Sequence, residues 1–126
     1  MLDEGVFRTR LPGGTDVWSE RMDSMRSVAV GFWFRTGAAH EADEVAGSAH
    51  LLEHMVFKGT TARTARQLAA EIEDLGGSLD AYTTHEHTSF QVRVPDDALP
   101  TALDVLADLA FHPRLDPIDL ALERGV

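Results

Sequence analysis

The sequence predicts an α+β domain, a two-layer sandwich in which a largely antiparallel sheet carries helices on one face. Three observations lead to that class. The hydrophobic period switches between 2 and 3.6 along the chain, and strand-like runs cluster around short turns instead of alternating singly with helices. The third is composition: 126 residues, 44% hydrophobic and 25% charged, suit a single globular domain, 1–126. A chain of this size removes roughly two-thirds of its accessible surface from water on folding, so it needs neither metal nor disulfide to hold together. Any metal site would therefore serve function first.

Taken in order, Val6 to Leu11 and Asp16 to Glu20 flank Pro12-Gly13-Gly14-Thr15, which reads as a strand, a tight turn and a second strand. Ser27 to Arg35 (SVAVGFWFR) is the most strand-like run, and its length suits a central strand, with Phe32, Trp33 and Phe34 assigned to core and sheet packing. Thr36 to Gly47 is a polar, acid-bearing loop. From Ala46 to Phe57 the period becomes helical: Leu51, Leu52, Met55 and Val56 recur towards the core, and Lys58-Gly59 favours a helix end. A second helix is expected from Thr64 to Leu75, opened by the capping-box pattern Thr64-Ala65-Arg66-Gln67 and closed by Gly76-Gly77. Ser78 to Thr83 and Thr88 to Val94 read as paired strands around Thr84 to His87. Asp96 or Asp97 is expected to cap a helix running to Phe111, with a stripe of Leu99, Leu103, Leu106 and Ala110. Asp116-Pro117 then opens a last helix, Pro117 to Val126.

Eleven Lys and Arg against 21 Asp and Glu leave a net charge of −10. Counterion release needs clustered cations, so nucleic acid is not an expected partner, and an anionic membrane surface is disfavoured for the same reason. The absence of Cys removes disulfide scaffolds, thiolate zinc sites and cysteine nucleophiles together, so a metal here must use His and carboxylate. The amino terminus, MLDEGVFRTRLPGG, has acids where a secretory signal needs a basic region, and no apolar run reaches membrane-spanning length. A cytoplasmic location is the expectation.

His50-Leu51-Leu52-Glu53-His54 lies within the first expected helix. At about 100° per residue, His50, Glu53 and His54 share an arc of about 100°. Two imidazoles one turn apart can each give a nitrogen to one tetrahedral zinc, and the intervening carboxylate sits where it reaches a water instead of the metal. Random placement of six His and nine Glu in this length gives His-x-x-Glu-His about 0.02 times, so the pattern is specific. The alternative is a solvated helix face with a His–Glu ion pair, which the Leu- and Met-rich remainder of the helix disfavours. His85 and His87 share a strand face around Glu86, but a solvated hairpin end accounts for them without a metal. His40 and His112 are read as loop residues, with His112-Pro113 marking a helix end.

The run Gly47-Ser48-Ala49-His50-Leu51-Leu52-Glu53-His54-Met55-Val56-Phe57-Lys58-Gly59-Thr60 resembles the active-site helix of the inverted-zincin metallopeptidases, the family of pitrilysin, insulin-degrading enzyme and mitochondrial processing peptidase. The likeness extends to Phe32 through Glu41, which is similar to the family's strand and loop before that helix. It continues in Gly76-Gly77-Ser78-Leu79-Asp80-Ala81-Tyr82-Thr83, which is similar to its Gly-Gly-x-x-Asn-Ala-Tyr-Thr segment, and in Leu122-Glu123-Arg124-Gly125-Val126. The bacterial, processing-peptidase-like members are the most similar.

The resemblance implies a zinc-dependent endopeptidase with Zn2+ as cofactor, His50 and His54 as ligands, and Glu53 as the general base acting on a zinc-activated water. It implies a peptide or polypeptide substrate lying extended against an edge strand that includes Asp80, Ala81, Tyr82 and Thr83, where Asp80 replaces the family's usual Asn. The reading of that strand without the family is a sheet edge kept soluble by Asp80 and Thr83. The family's third ligand, a Glu about 75 residues after the second His, falls near position 130, beyond Val126. The chain is therefore expected to stop short of a complete site and to be weakly active or inactive alone. Glu123 then matches an acid that supports a ligating His, with direct ligation and a plain helix-surface role as its alternatives. A second homologous half or subunit is implied to close on the substrate. The rival from another class is a non-catalytic assembly subunit of the same fold.

Overall fold

The computed structural model describes residues 5–124. The turn at Pro12–Gly14 joins β1 (Val6–Arg10) to β2 (Asp16–Glu20) in an antiparallel hairpin that forms a two-stranded sheet of its own. Arg8 sits opposite Trp18 in the register, stacks over its ring at 5.2 Å and reaches Asp16 at 3.0 Å. The other three strands, β3 (Ser27–Phe34), β4 (Ser78–Thr83) and β5 (Thr88–Pro95), form a second antiparallel sheet in the order β3-β5-β4. Among the described residues, the five strands are thus divided between two antiparallel sheets. Ser27 to Arg35 is expected to be a central strand, but among the described residues β3 lies at an edge: the β4–β5 hairpin leaves one edge of β5 open, β3 docks there, and β5 takes the middle.

Alternation in the second sheet matches one face to the core. Val28, Val30 and Phe32 lie opposite Val94, Val92 and Phe90, and all six turn towards the helices. Leu68 and Ile72 of α2 (Ala65–Asp74) and Ala102, Val105, Leu106 and Leu109 of α3 (Leu99–Phe111) cover that face, each at most 1% exposed. Phe111 stacks against Phe32 and Phe34 at centroid distances of 5.7 and 5.9 Å. Trp33 points the other way and is 57% exposed, so the Phe-Trp-Phe run divides between the two faces of the sheet.

Helix α2 starts as its sequence implies: the Gln67 amide donates to Thr64 Oγ1 and the Thr64 amide to Gln67 Oε1, at 3.1 and 2.8 Å. Helix α3 differs in two respects. Asp96 and Asp97 form a short 3-10 turn with Ala98, and Ala98 is the N-cap without a side-chain hydrogen bond. Pro100, which has no amide hydrogen to lose, occupies the first turn. The buried stripe is Ala102, Val105, Leu106 and Leu109, and Leu103 is 40% exposed. This helix is apolar over more than one face, and small Ala102 lets the adjacent stripe approach the sheet. The last helix, α4, spans Pro117–Arg124, with Asp116 Oδ1 accepting from the Ile118 amide at 2.7 Å. Gly125 and Val126, included in the expected helix, lie outside the described residues.

One buried polar network ties the segment before α2 to α3. Thr60 Oγ1 donates to Asp108 Oδ2 at 2.6 Å, and Arg63 reaches Asp108, Glu71 and Asp104 at 2.9, 2.9 and 2.8 Å. Burial alone would push the Asp108 carboxyl up, but the Thr60 hydroxyl and the Arg63 guanidinium hold it below the ordinary aspartate value. Among the described residues, no helix is long and apolar enough to cross a membrane.

The core assignment makes a contrast that urea denaturation measures. Leu109→Ala is expected to destabilise the fold by about 2–5 kcal/mol through lost burial and a residual cavity. Leu103→Ser, on the exposed side of the same helix, is expected to change stability by less than about 0.5 kcal/mol.

Candidate metal centre

Helix α1 (Ser48–Val56) presents the motif, and the loop before it fixes where the helix begins. Thr36 to Gly47 contains two 3-10 turns, Ala38–His40 and Asp43–Val45, and is fastened to the β4–β5 turn. The Ala38 and Ala39 amides donate to the Thr84 and His85 carbonyls at 3.1 and 2.8 Å. Gly37 permits that approach, since a Cβ there would lie 2.3 Å from the Thr84 oxygen. Gly47, at φ 87°, turns the chain into the helix in the left-handed region. No side chain caps α1 from the N-cap position; Glu41 does so from six residues upstream. Its two carboxylate oxygens accept from the Gly47 and Ala49 amides at 2.6 and 2.7 Å. The Ala49 and Gly47 amides together hold the Glu41 carboxyl below the ordinary glutamate range.

Ala49, Met55 and Val56 bury one side of α1. Leu52, expected to face the core, is 48% exposed, and Leu51 is half-buried. Room at the surface is what the opposite side needs, because it carries His50 and His54, both exposed, and half-buried Glu53. The two imidazole centroids are 4.5 Å apart, and one donor atom from each of His50, Glu53 and His54 lies within 4.8 Å of the others. Among the described residues this is the one group of three such side chains so gathered. His85 and Glu86 sit exposed on the hairpin end, His87 Nδ1 lies 3.2 Å from Thr84 Oγ1, and His40 Nδ1 accepts from the Gly37 amide. His112 is the C-cap of α3.

Two neighbours hold the group: the Glu123 contact is the one the resemblance implied for a ligating His, and the Thr83 contact was not visible in the sequence. Thr83 Oγ1, at the end of β4, donates to Glu53 Oε2 at 2.5 Å. Glu123, on α4, lies 69 residues from His54 in sequence and places Oε2 3.2 Å from its Nδ1, while Oε1 accepts from Lys58 Nζ at 2.8 Å. The Lys58 ammonium and the His54 ring hold the Glu123 carboxyl below the ordinary range against the opposing effect of burial. An ionised carboxylate only accepts, so in the neutral imidazole this hydrogen bond pairs with the tautomer that carries its hydrogen on Nδ1 and keeps the Nε2 lone pair free. Two nitrogen donors one turn apart, one of them oriented by a carboxylate, form a donor set of the kind zinc takes. His50, His54, Leu51, Leu120 and Glu123 line an open cleft of about 600 Å³.

Strand β4 pairs with β5 along one edge only, and among the described residues its other edge has no strand partner. Leu79 and Ala81 pack towards the core, with Thr83 on the same face and nearest the motif. Asp80 and Tyr82 lie on the opposite face, where Tyr82 Oη is 3.4 Å from Trp33 Nε1.

Comparison with known proteins adds relatives to this geometry. The family model described as insulinase (peptidase family M16) matches residues 16–126. An uncharacterized zinc protease of Mycobacterium leprae is 44% identical over 122 residues, which is 97% of this chain and 27% of that protein. The probable mitochondrial-processing peptidase subunit beta of Arabidopsis thaliana is 45% identical over 118 residues, 94% of this chain and 22% of that protein. The chain thus spans about a quarter of these relatives. In three dimensions it is similar to a protease from Helicobacter pylori, with a TM-score of 0.89 over 95% of this chain and 29% of that one, at 23% identity, a likeness of fold.

The cap on α1 has a measurable signature. In Glu41→Gln the Gly47 and Ala49 amides are expected to lose hydrogen-exchange protection relative to the rest of α1. A carboxyl lowered on folding stabilises the fold above its unfolded pKa, about 4.5, and that contribution is lost as pH falls through the lower folded value. The stability difference between the native chain and Glu41→Gln is therefore expected to be present at neutral pH and to shrink on acidification.

Proposed function

The chain belongs to the insulinase family, peptidase family M16, and from that premise we propose that it is the amino-terminal, zinc-binding domain of a metalloendopeptidase. The observation that carries this reading is the convergence of His50, Glu53 and His54 within 4.8 Å on one exposed helix face. His50 and His54 would hold the metal through one nitrogen each, Nε2 in the case of His54, whose Nδ1 faces Glu123. When bound, zinc supplies Lewis acidity to a peptide carbonyl and lowers the pKa of a water molecule.

The remaining chemistry falls to side chains of this chain. Glu53 takes the proton of the attacking water on a carboxylate oxygen and delivers it to the leaving amine nitrogen as the C–N bond breaks. Thr83 holds Oε2 by its hydroxyl, which leaves Oε1 of Glu53 free as the basic atom. Glu123 supports His54 as a carboxylate hydrogen-bonded to the ring nitrogen that the metal does not use. The free edge of β4, with Asp80, Ala81, Tyr82 and Thr83, takes an extended peptide by strand addition, which reads backbone and so admits many sequences. Thr83 brings that edge against the base.

A third protein ligand and a second homologous half or subunit belong to the same proposal and are assigned to sequence outside residues 5–124. The support is the greater length of the relatives and the description of one of them as a processing-peptidase subunit. The bacterial relatives described as zinc proteases support the activity.

Peptide cleavage by the full-length gene product tests the reading. Activity is expected to vanish with a chelator and return with zinc. Glu53→Gln is expected to lower kcat by about 10²–10⁴-fold while leaving bound zinc unchanged. Cleavage that survives both chelation and Glu53→Gln would contradict the mechanism, and a zinc-loaded protein with no cleavage favours the assembly-subunit reading. Separately, the 126-residue chain alone is expected to hold zinc weakly and cleave little; tight stoichiometric zinc there would promote Glu123 to a ligand.

A further inference from the structure

The single lysine of the chain sits at the metal centre, and no step above uses it. Lys58 follows the end of α1, one turn after His54, and its side chain returns along the same helix face. Its backbone is fixed from two sides. The Lys58 amide donates to the Met55 carbonyl at 3.1 Å, and its own carbonyl accepts from Arg114 Nη2 at 3.1 Å. Arg114 is in turn tied to the neighbouring turn by its amide on the Gly59 carbonyl, at 3.0 Å, and to α4 by its guanidinium on Asp119, at 3.3 Å. The ammonium therefore projects from a braced backbone onto Glu123, whose side chain is only 14% exposed.

A carboxylate with two oxygens can turn either one to a histidine, or neither. In this structure Lys58 Nζ takes Oε1 at 2.8 Å, which leaves Oε2 for His54 Nδ1 at 3.2 Å. Resting on the zinc reading above, we propose that Lys58 is a positioning residue: by engaging Glu123 Oε1 it aims Oε2 at His54 Nδ1, fixing the His54 tautomer that offers Nε2 to zinc. The competing description is an ordinary ion pair joining α1 to α4. Pairs of that kind contribute little to stability and leave a neighbouring tautomer untouched. The geometry supports the proposal, since the two oxygens of one carboxylate are divided between the Lys58 ammonium and the His54 ring.

The test uses two readouts on the full-length protein. Nitrogen-15 NMR of histidine-labelled, metal-free protein reports the His54 tautomer, assigned by its loss in His54→Gln. Competition with a chromophoric chelator reports zinc affinity. Lys58→Met is expected to convert His54 from the Nδ1–H form to a mixture of tautomers and to weaken zinc binding by about 10-fold, while Lys58→Arg retains both native properties. Glu123→Gln is expected to give the same tautomer mixture, and adding Lys58→Met to it to change nothing further. A native tautomer and native zinc affinity in Lys58→Met, with only the unfolding midpoint lowered, would overturn the proposal, as would additive effects in the double variant. His50→Ala separates the two layers of inference. If it leaves zinc affinity unchanged, the zinc reading fails by itself, while the tautomer measurement still decides the role of Lys58.

Discussion

A helix of nine residues does not persist on its own in water, so the spacing of His50, Glu53 and His54 exists only because α1 is held at both ends. At the first end, Glu41 satisfies the Gly47 and Ala49 amides, and the loop carrying it is sewn to the β4–β5 turn through Thr84 and His85. At the other, Lys58 and Arg114 connect the residues after the helix to α4. Met55 and Val56 press the last turn of the helix onto the domain at 3% and 2% exposure. The sheet enters the site through the same arrangement, since the turn that anchors the loop lies between β4, which ends at Thr83, and β5 at the centre of the sheet.

Magnitudes separate what holds the fold from what shapes the site. Between the sheet and α2 and α3 the side chains are almost fully buried, and the larger ones, such as Leu68, Ile72, Leu106 and Leu109, each contribute about 1.5–3 kcal/mol by leaving water. The Arg63–Asp108–Thr60 network adds directionality at the base of α3, where an unpaired buried carboxylate would be costly. By comparison, the ion pairs around Glu123 and the β1–β2 hairpin are partly in water and weakly stabilising. What the Glu123 pairs supply is geometry: one carboxylate oxygen meets Lys58 Nζ and the other faces His54 Nδ1. Stability and chemistry are thus assigned to different parts of one small domain.

Much of this was legible in the residues because the signals were local. The capping box at Thr64 and Gln67, the Asp116-Pro117 start of α4 and the alternation of β5 each involve neighbours a few positions apart, and the structure reproduces them. So does the helical grouping of His50, Glu53 and His54. Errors arose where partners distant in sequence decided the outcome. The place of β3 at an edge depends on which side of β5 remains open, and the buried stripe of α3 on which of two apolar faces meets the sheet. Leu52 faces solvent because α1 lies over the sheet edge, with Ala49, Met55 and Val56 turned inward. The Glu53–Thr83 and Lys58–Glu123 contacts join residues 30 and 65 positions apart, and no spacing rule connects them. Glu41 did carry a local signal, an acid shortly before a helix with no capping side chain of its own.

The roles proposed for Glu53, Glu123 and Lys58 all depend on the imidazoles of His50 and His54 both being zinc ligands. Anomalous diffraction at the zinc edge from crystals of the zinc-loaded protein addresses that ligation directly. The predicted result is a single strong peak about 2.0–2.1 Å from one ring nitrogen of each histidine, with His54 bound through Nε2 and its Nδ1 still facing Glu123. A peak on His85 and His87, or one that touches only one histidine of the motif, would contradict it.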